Sequence, residues 1–137
     1  GFSGNVMSFL FTPAPSLGAS TAIFGLLGAQ AVFFYHNRRL FGEYARRAVT
    51  ELALLAGINL VIGLSPMIDN WGHIGGLLGG ILFAWFAGPL LQLEETLTLR
   101  RLVDVRPKLE TWRTAISVGL LFSALAVFNF FLQGVIK

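Results

Sequence analysis

Four long runs of this chain carry almost no charge, and that feature limits the fold more than any other. They are Leu17–Tyr35, Ala48–Leu64, Ile68–Pro89 and Thr114–Gln133. Two of them hold one carboxylate each, Glu51 near the start of the second and Asp69 at the edge of the third. At about 1.5 Å per helical residue, runs of this length reach or approach the roughly 30 Å of a hydrocarbon core. The sequence therefore predicts an all-α fold, a polytopic bundle of transmembrane helices. Only 12% of the residues are charged, about half the share usual in a soluble domain. A water-soluble single domain and a disordered tail are all but excluded. The net charge of +3 rests on ten basic residues set among apolar runs. The expected partner is thus the lipid bilayer, with no nucleic acid. The chain has no Cys, which removes disulfides, thiolate metal sites and a cysteine nucleophile.

A fifth apolar run, Phe2–Phe11, would span roughly half of a hydrocarbon core. With Gly1 in place of Met, it is expected to be the end of a helix that begins upstream, in a chain truncated at its N-terminus. It lacks the basic segment of a signal peptide. Nine of the ten basic residues lie in two connections, His36–Arg47 and Leu90–Arg113. Basic loops stay cytoplasmic. The runs beginning at Leu17 and Ile68 therefore both enter from the non-cytoplasmic face. Lys137 falls on that outer side as a minor exception. Residues 90–111 are expected to form a cytoplasmic charged linker, a solvated or interfacial helix with alternating charge. Residues 112–137 are expected to form an additional C-terminal transmembrane helix.

This topology puts two polar side chains at matching depth. Ser20 sits about one turn into the Leu17–Tyr35 run, and His73 about one turn into the Ile68–Pro89 run. A serine hydroxyl becomes a nucleophile when an adjacent base takes its proton, and an imidazole suits that task. Gly72, Gly76 and Gly80 recur every fourth residue and form a smooth stripe, while Gly25, Gly28 and Ala29 supply small residues on the other run. Small residues let membrane helices approach closely. Phe24, one turn below Ser20 on the same face, is placed to pack against the His73 ring. Taken singly, each feature has an ordinary reading: a packing serine, a structural polar contact, a plain helix interface. Their coincidence in depth and direction is what favours chemistry. Asp69, one turn before His73, reads as a helix N-cap rather than a third catalytic member.

The segments Gly18-Ala19-Ser20-Thr21-Ala22-Ile23-Phe24-Gly25 and Asp69-Asn70-Trp71-Gly72-His73-Ile74-Gly75-Gly76 resemble the serine and histidine motifs of the rhomboid family of intramembrane serine proteases. The resemblance covers residues 1–89, and the pair of motifs is specific where either alone is weak. It implies a partial rhomboid catalytic core, holding the end of the third core helix and the fourth to sixth. It implies Ser20 as nucleophile and His73 as general base in a Ser-His dyad, with Phe24 stacking on the histidine. Gly76 and Gly80 would be packing glycines. The substrates would be transmembrane proteins, cleaved as a serine-type endopeptidase cleaves, with the oxyanion met by the Ser20 backbone N–H. The expected location is multi-pass in a membrane, a bacterial inner membrane, with the active site towards the non-cytoplasmic face.

Two departures from the family pattern stand out. Thr21 follows the serine where the family usually has glycine, adding bulk beside the nucleophile. The upstream helix whose histidine and asparagine help bind the oxyanion has no counterpart here, and Asn5 reads as part of the first helix. The isolated 137 residues are accordingly expected to have little or no activity. Hydrolysis requires no cofactor. No metal is expected, because His36 and His73 fall on opposite sides of the membrane. The alternatives are a catalytically inactive rhomboid-like protein that binds membrane clients, and a transport element. The second would call for more ionisable residues within the spans than Glu51 and Asp69.

Overall fold

A computed structural model describes residues 1–13, 16, 18–95 and 99–135. Its elements are α1 (Phe2–Phe11), α2 (Ser20–His36), α3 (Arg38–Ile62), α4 (Asn70–Ala87), the strands β1 (Leu91–Glu95) and β2 (Arg100–Asp104), and α5 (Lys108–Val135). Leu17, with which the first long run begins, and Lys137 lie outside the described residues.

Helix α4 is the centre of the fold because it offers two smooth faces. Along one face, a Cβ on Gly76 would strike the Thr21 carbonyl oxygen and one on Gly80 the Gly25 carbonyl oxygen. The α2 and α4 backbones are therefore in near contact, and they share the broadest helix interface in the molecule. From the α2 side, a Cβ on Gly28 would lie 2.7 Å from the Leu77 carbonyl oxygen. Along the other face, a Cβ on Gly75 would lie 2.5 Å from Met7 Cβ and one on Gly79 would strike Ser3 Oγ. That second row, which seats α1, is an addition to the single stripe expected from the sequence. With little side chain between them, such helices gain packing contacts along their backbones.

The far end of the α2–α4 pair is tied by Asn37, which is 3% exposed. Its Nδ2 donates to the Phe33 and Pro89 carbonyl oxygens at 2.8 and 3.0 Å, and its Oδ1 accepts from the Leu91 amide at 2.7 Å. Arg106 Nε donates to the Gly88 carbonyl oxygen at 3.0 Å, satisfying an acceptor at the end of α4.

Two expectations are corrected. The connection expected over His36–Arg47 is helical apart from its turn: Asn37 alone separates α2 from α3. Arg, Glu, Tyr and Ala all tolerate helix, and the chain bends at Gly42, whose φ of 53° suits a residue without Cβ. The linker expected as an interfacial helix is a β-hairpin, so the fold is mostly helical rather than wholly so. Its alternating charge pairs across strands: Arg101 meets Glu94 at 2.8 Å and Arg100 meets Glu95 at 2.9 Å. Leu93 faces Leu102 on the next rung beside them. The final helix then starts at Lys108, earlier than residue 112. Among the described residues one helix is long and apolar enough to cross a membrane by length and composition, over Lys108–Leu132. Helices α2 and α4 are apolar but have 17 and 18 residues, about 26–27 Å each. They begin at Ser20 and Asn70, later than the apolar runs that contain them.

Candidate active site

Helices α2 and α4 run side by side in the same direction. At one end their first turns border a common cavity, and at the other the His36 and Trp85 rings stand 4.9 Å apart. Ser20 is the first residue of α2, and His73 lies one turn into α4. Both line a cavity of about 590 Å³, which Asn5, Thr21 and Asp69 also border.

The start of α2 has its own character. Its N-cap, Ala19, makes no side-chain cap bond, and its carbonyl accepts from the Ala22 and Ile23 amides at 3.0 and 3.1 Å. The first amides of a helix have no intrahelical acceptor. The Ser20 N–H is one of these, at the edge of the cavity, where negative charge on a ligand would find a donor. The half-buried Ser20 side chain faces the same space.

His73 is 7% exposed. Its Nδ1 is buried and meets no hydrogen-bond partner among the described residues. The ring is held instead by Phe24, whose centroid lies 4.3 Å away with the two planes 10° apart. Phe24 is itself buried, and the flat stack leaves the imidazole few orientations. The described hydrogen bonds include none between Ser20 and His73.

Asp69 caps α4, its Oδ1 accepting from the Gly72 amide at 2.9 Å. The same carboxylate accepts from Thr12 Oγ1 at 2.9 Å and from Ser16 Oγ at 2.5 Å. The group precedes the helix.

Thr21, the residue that breaks the family's serine motif, is 9% exposed. A Cβ on Gly4 would lie 2.7 Å from Thr21 Cβ, and one on Gly72 would lie 2.9 Å from its Cγ2. The extra bulk is thus taken up between α1 and α4, where two glycines make room. Asn5 borders the cavity from α1. The sequence places it on the first helix but carries no signal for the cavity, because that neighbourhood forms across three separate helices. Gly72, Gly76, Gly80 and Gly25 all lie along the α2–α4 contact.

A model of the rhomboid domain matches residues 1–90. The rhomboid protease GluP of Bacillus subtilis (strain 168) is 46% identical over 85 residues, which are 61% of this chain and 16% of that protein. RHOMBOID-like protein 7 of Arabidopsis thaliana is 36% identical over 122 residues, 86% of this chain and 39% of the relative. That match is longer than the domain match, so the likeness runs on past residue 90. RHOMBOID-like protein 9, chloroplastic, of the same plant is 34% identical over 94 residues, 68% of this chain and 22% of its own length. The chain spans well under half the length of these relatives. No solved structure matches it significantly.

Proposed function

The chain belongs to the rhomboid family, whose members are integral membrane proteins, and from that premise we propose that it is the dyad-bearing part of an intramembrane serine endopeptidase. Its substrates are transmembrane proteins, cut near the non-cytoplasmic rim of the bilayer. Ser20 Oγ attacks the scissile carbonyl carbon while His73 takes the hydroxyl proton. The resulting oxyanion is met by the Ser20 amide. Collapse of the tetrahedral intermediate breaks the C–N bond, and His73 returns the proton to the leaving amine. Water, losing its proton to His73, then attacks the acyl ester, and the second collapse breaks the Oγ–C bond as His73 returns that proton to Ser20 Oγ, freeing the acid product.

One observation carries this reading: a serine at an uncapped helix start and an imidazole clamped by a flat aromatic stack border the same cavity. A fluorophosphonate probe on the full-length protein tests it. The expected result is labelling at Ser20, located by peptide mass spectrometry, and its loss in His73→Ala. An unlabelled wild type, or labelling undiminished by His73→Ala, overturns it. A full-length protein that retains a transmembrane client while neither labelling nor cleaving supports client binding instead.

The stack has its own test. Phe24→Leu keeps an apolar side chain of similar bulk but removes the flat face. Aromatic pairs contribute about 0.5–1.5 kcal/mol beyond area burial, a factor of roughly two to ten in a conformational population. The expected outcome is a fall in kcat of that size, with KM and melting temperature little changed, measured on a transmembrane reporter substrate.

A further inference from the structure

The Asp69 carboxylate does more than cap a helix. An N-cap needs one acceptor for one amide, and Gly72 supplies that donor. Two further donors reach it from far away in sequence, Thr12 Oγ1 and Ser16 Oγ, with Ser8 Oγ standing 3.3 Å from Ser16 Oγ. Thr12 is the C-cap of α1, and Ser16 lies four residues before Ser20. Helix α2 has no side-chain cap of its own; the bond from Ser16 to Asp69 lies just ahead of its start. On the other side, the His73 amide donates to the Asp69 carbonyl oxygen at 3.3 Å. Ser16 and Asp69 both border the cavity that Ser20 and His73 share.

We propose that Asp69 is a positioning residue for the dyad: its carboxylate joins the segment that delivers Ser20 to the turn that carries His73, and so sets the approach of hydroxyl to imidazole. This rests on the proteolytic reading above. The carboxylate does not touch the reacting atoms. Charge-assisted hydrogen bonds are roughly twice as strong as neutral ones, so one ionised acceptor holding three donors makes a stiff joint. Misplacement of reacting groups by about 1 Å can cost about 10²-fold in rate.

The test uses the full-length protein and a transmembrane reporter substrate. Thr12→Val with Ser16→Ala removes both long-range donors and leaves the Gly72 cap intact. The expected result is a fall in kcat between about tenfold and 10²-fold with KM little changed, and a matching fall in the rate of probe labelling at Ser20. The hydroxyl-retaining pair Thr12→Ser with Ser16→Thr should recover most of that rate. Asp69→Asn should lose as much as the donor pair, and combining the three should cost no more than Asp69→Asn alone. The proposal is overturned if the donor-deleting pair lowers the melting temperature but leaves kcat at the wild-type value. It is equally overturned if the hydroxyl-retaining pair is as slow as the donor-deleting one. A wild type that neither labels nor cleaves sinks the proteolytic reading and this proposal together. A wild type that does both, beside unaffected variants, sinks this proposal alone.

Discussion

Ser20→Ala and His73→Ala should each lower proteolysis by about 10⁴-fold or more, and the double variant should be no slower than either single one. The hydroxyl alone is a weak nucleophile at neutral pH, because its proton has nowhere to go as the bond forms. The imidazole alone has nothing to activate except water. In a Ser-His dyad each side chain is useful only through the other, so removing one removes the function of both. Both border one cavity, and among the described residues the buried His73 Nδ1 has no partner. Residual turnover in all three variants would come from binding and from the Ser20 amide donor. The measurement is kcat on a reporter substrate for the full-length protein. Single variants whose losses multiply in the double variant would mean that the two side chains act separately, and the dyad would be wrong.

The second large effect concerns one methyl group. Gly80→Ala places a Cβ against the Gly25 carbonyl oxygen and within 2.6–2.7 Å of the Gly25 carbonyl carbon and Cα. These are backbone atoms in the middle of α2, and no side chain can turn aside to relieve them. The helices must separate along their main interface. Overpacking usually costs 1–3 kcal/mol, and this contact is expected at or beyond about 3 kcal/mol. In a chain of this size that lowers the melting temperature by on the order of 10 °C. Because α2 carries Ser20 and α4 carries His73, activity should fall with it. Gly57→Ala on α3 is the control. Its Cβ would meet nothing within 4 Å, so it should be neutral or stabilise by about 0.5–1 kcal/mol through the better helix propensity of alanine. Equal melting temperatures for the two variants would contradict the close approach of α2 and α4.

Much of the site is legible in the order of residues alone. Ser20 and His73 each stand about one turn from the start of an apolar run, and Phe24 is one turn below Ser20. Such relations are helical periodicity, which a linear sequence carries. The connections are harder. The Glu and Arg residues between 90 and 104 alternate in a way that serves a helix face or two strands equally well. The pairing of Glu94 with Arg101 and Glu95 with Arg100 that decides for the hairpin is a contact between strands. The basic residues from Arg38 to Arg47 resemble a loop because charge marks exposure, and an exposed helix satisfies that as well.

The chain by itself determined its apolar helical character, the two connections in which its basic residues collect, and which hydroxyl and imidazole stand near the starts of two apolar runs. These follow from residue chemistry taken every three or four positions. Only the tertiary structure decided that Gly75 and Gly79 seat α1, that Thr21 is absorbed between Gly4 and Gly72, and that Asp69 gathers hydroxyls from 53 and 57 residues away. A hydrogen bond or a steric collision depends on the distance between two atoms in space. When those atoms lie on different helices, no local period records it.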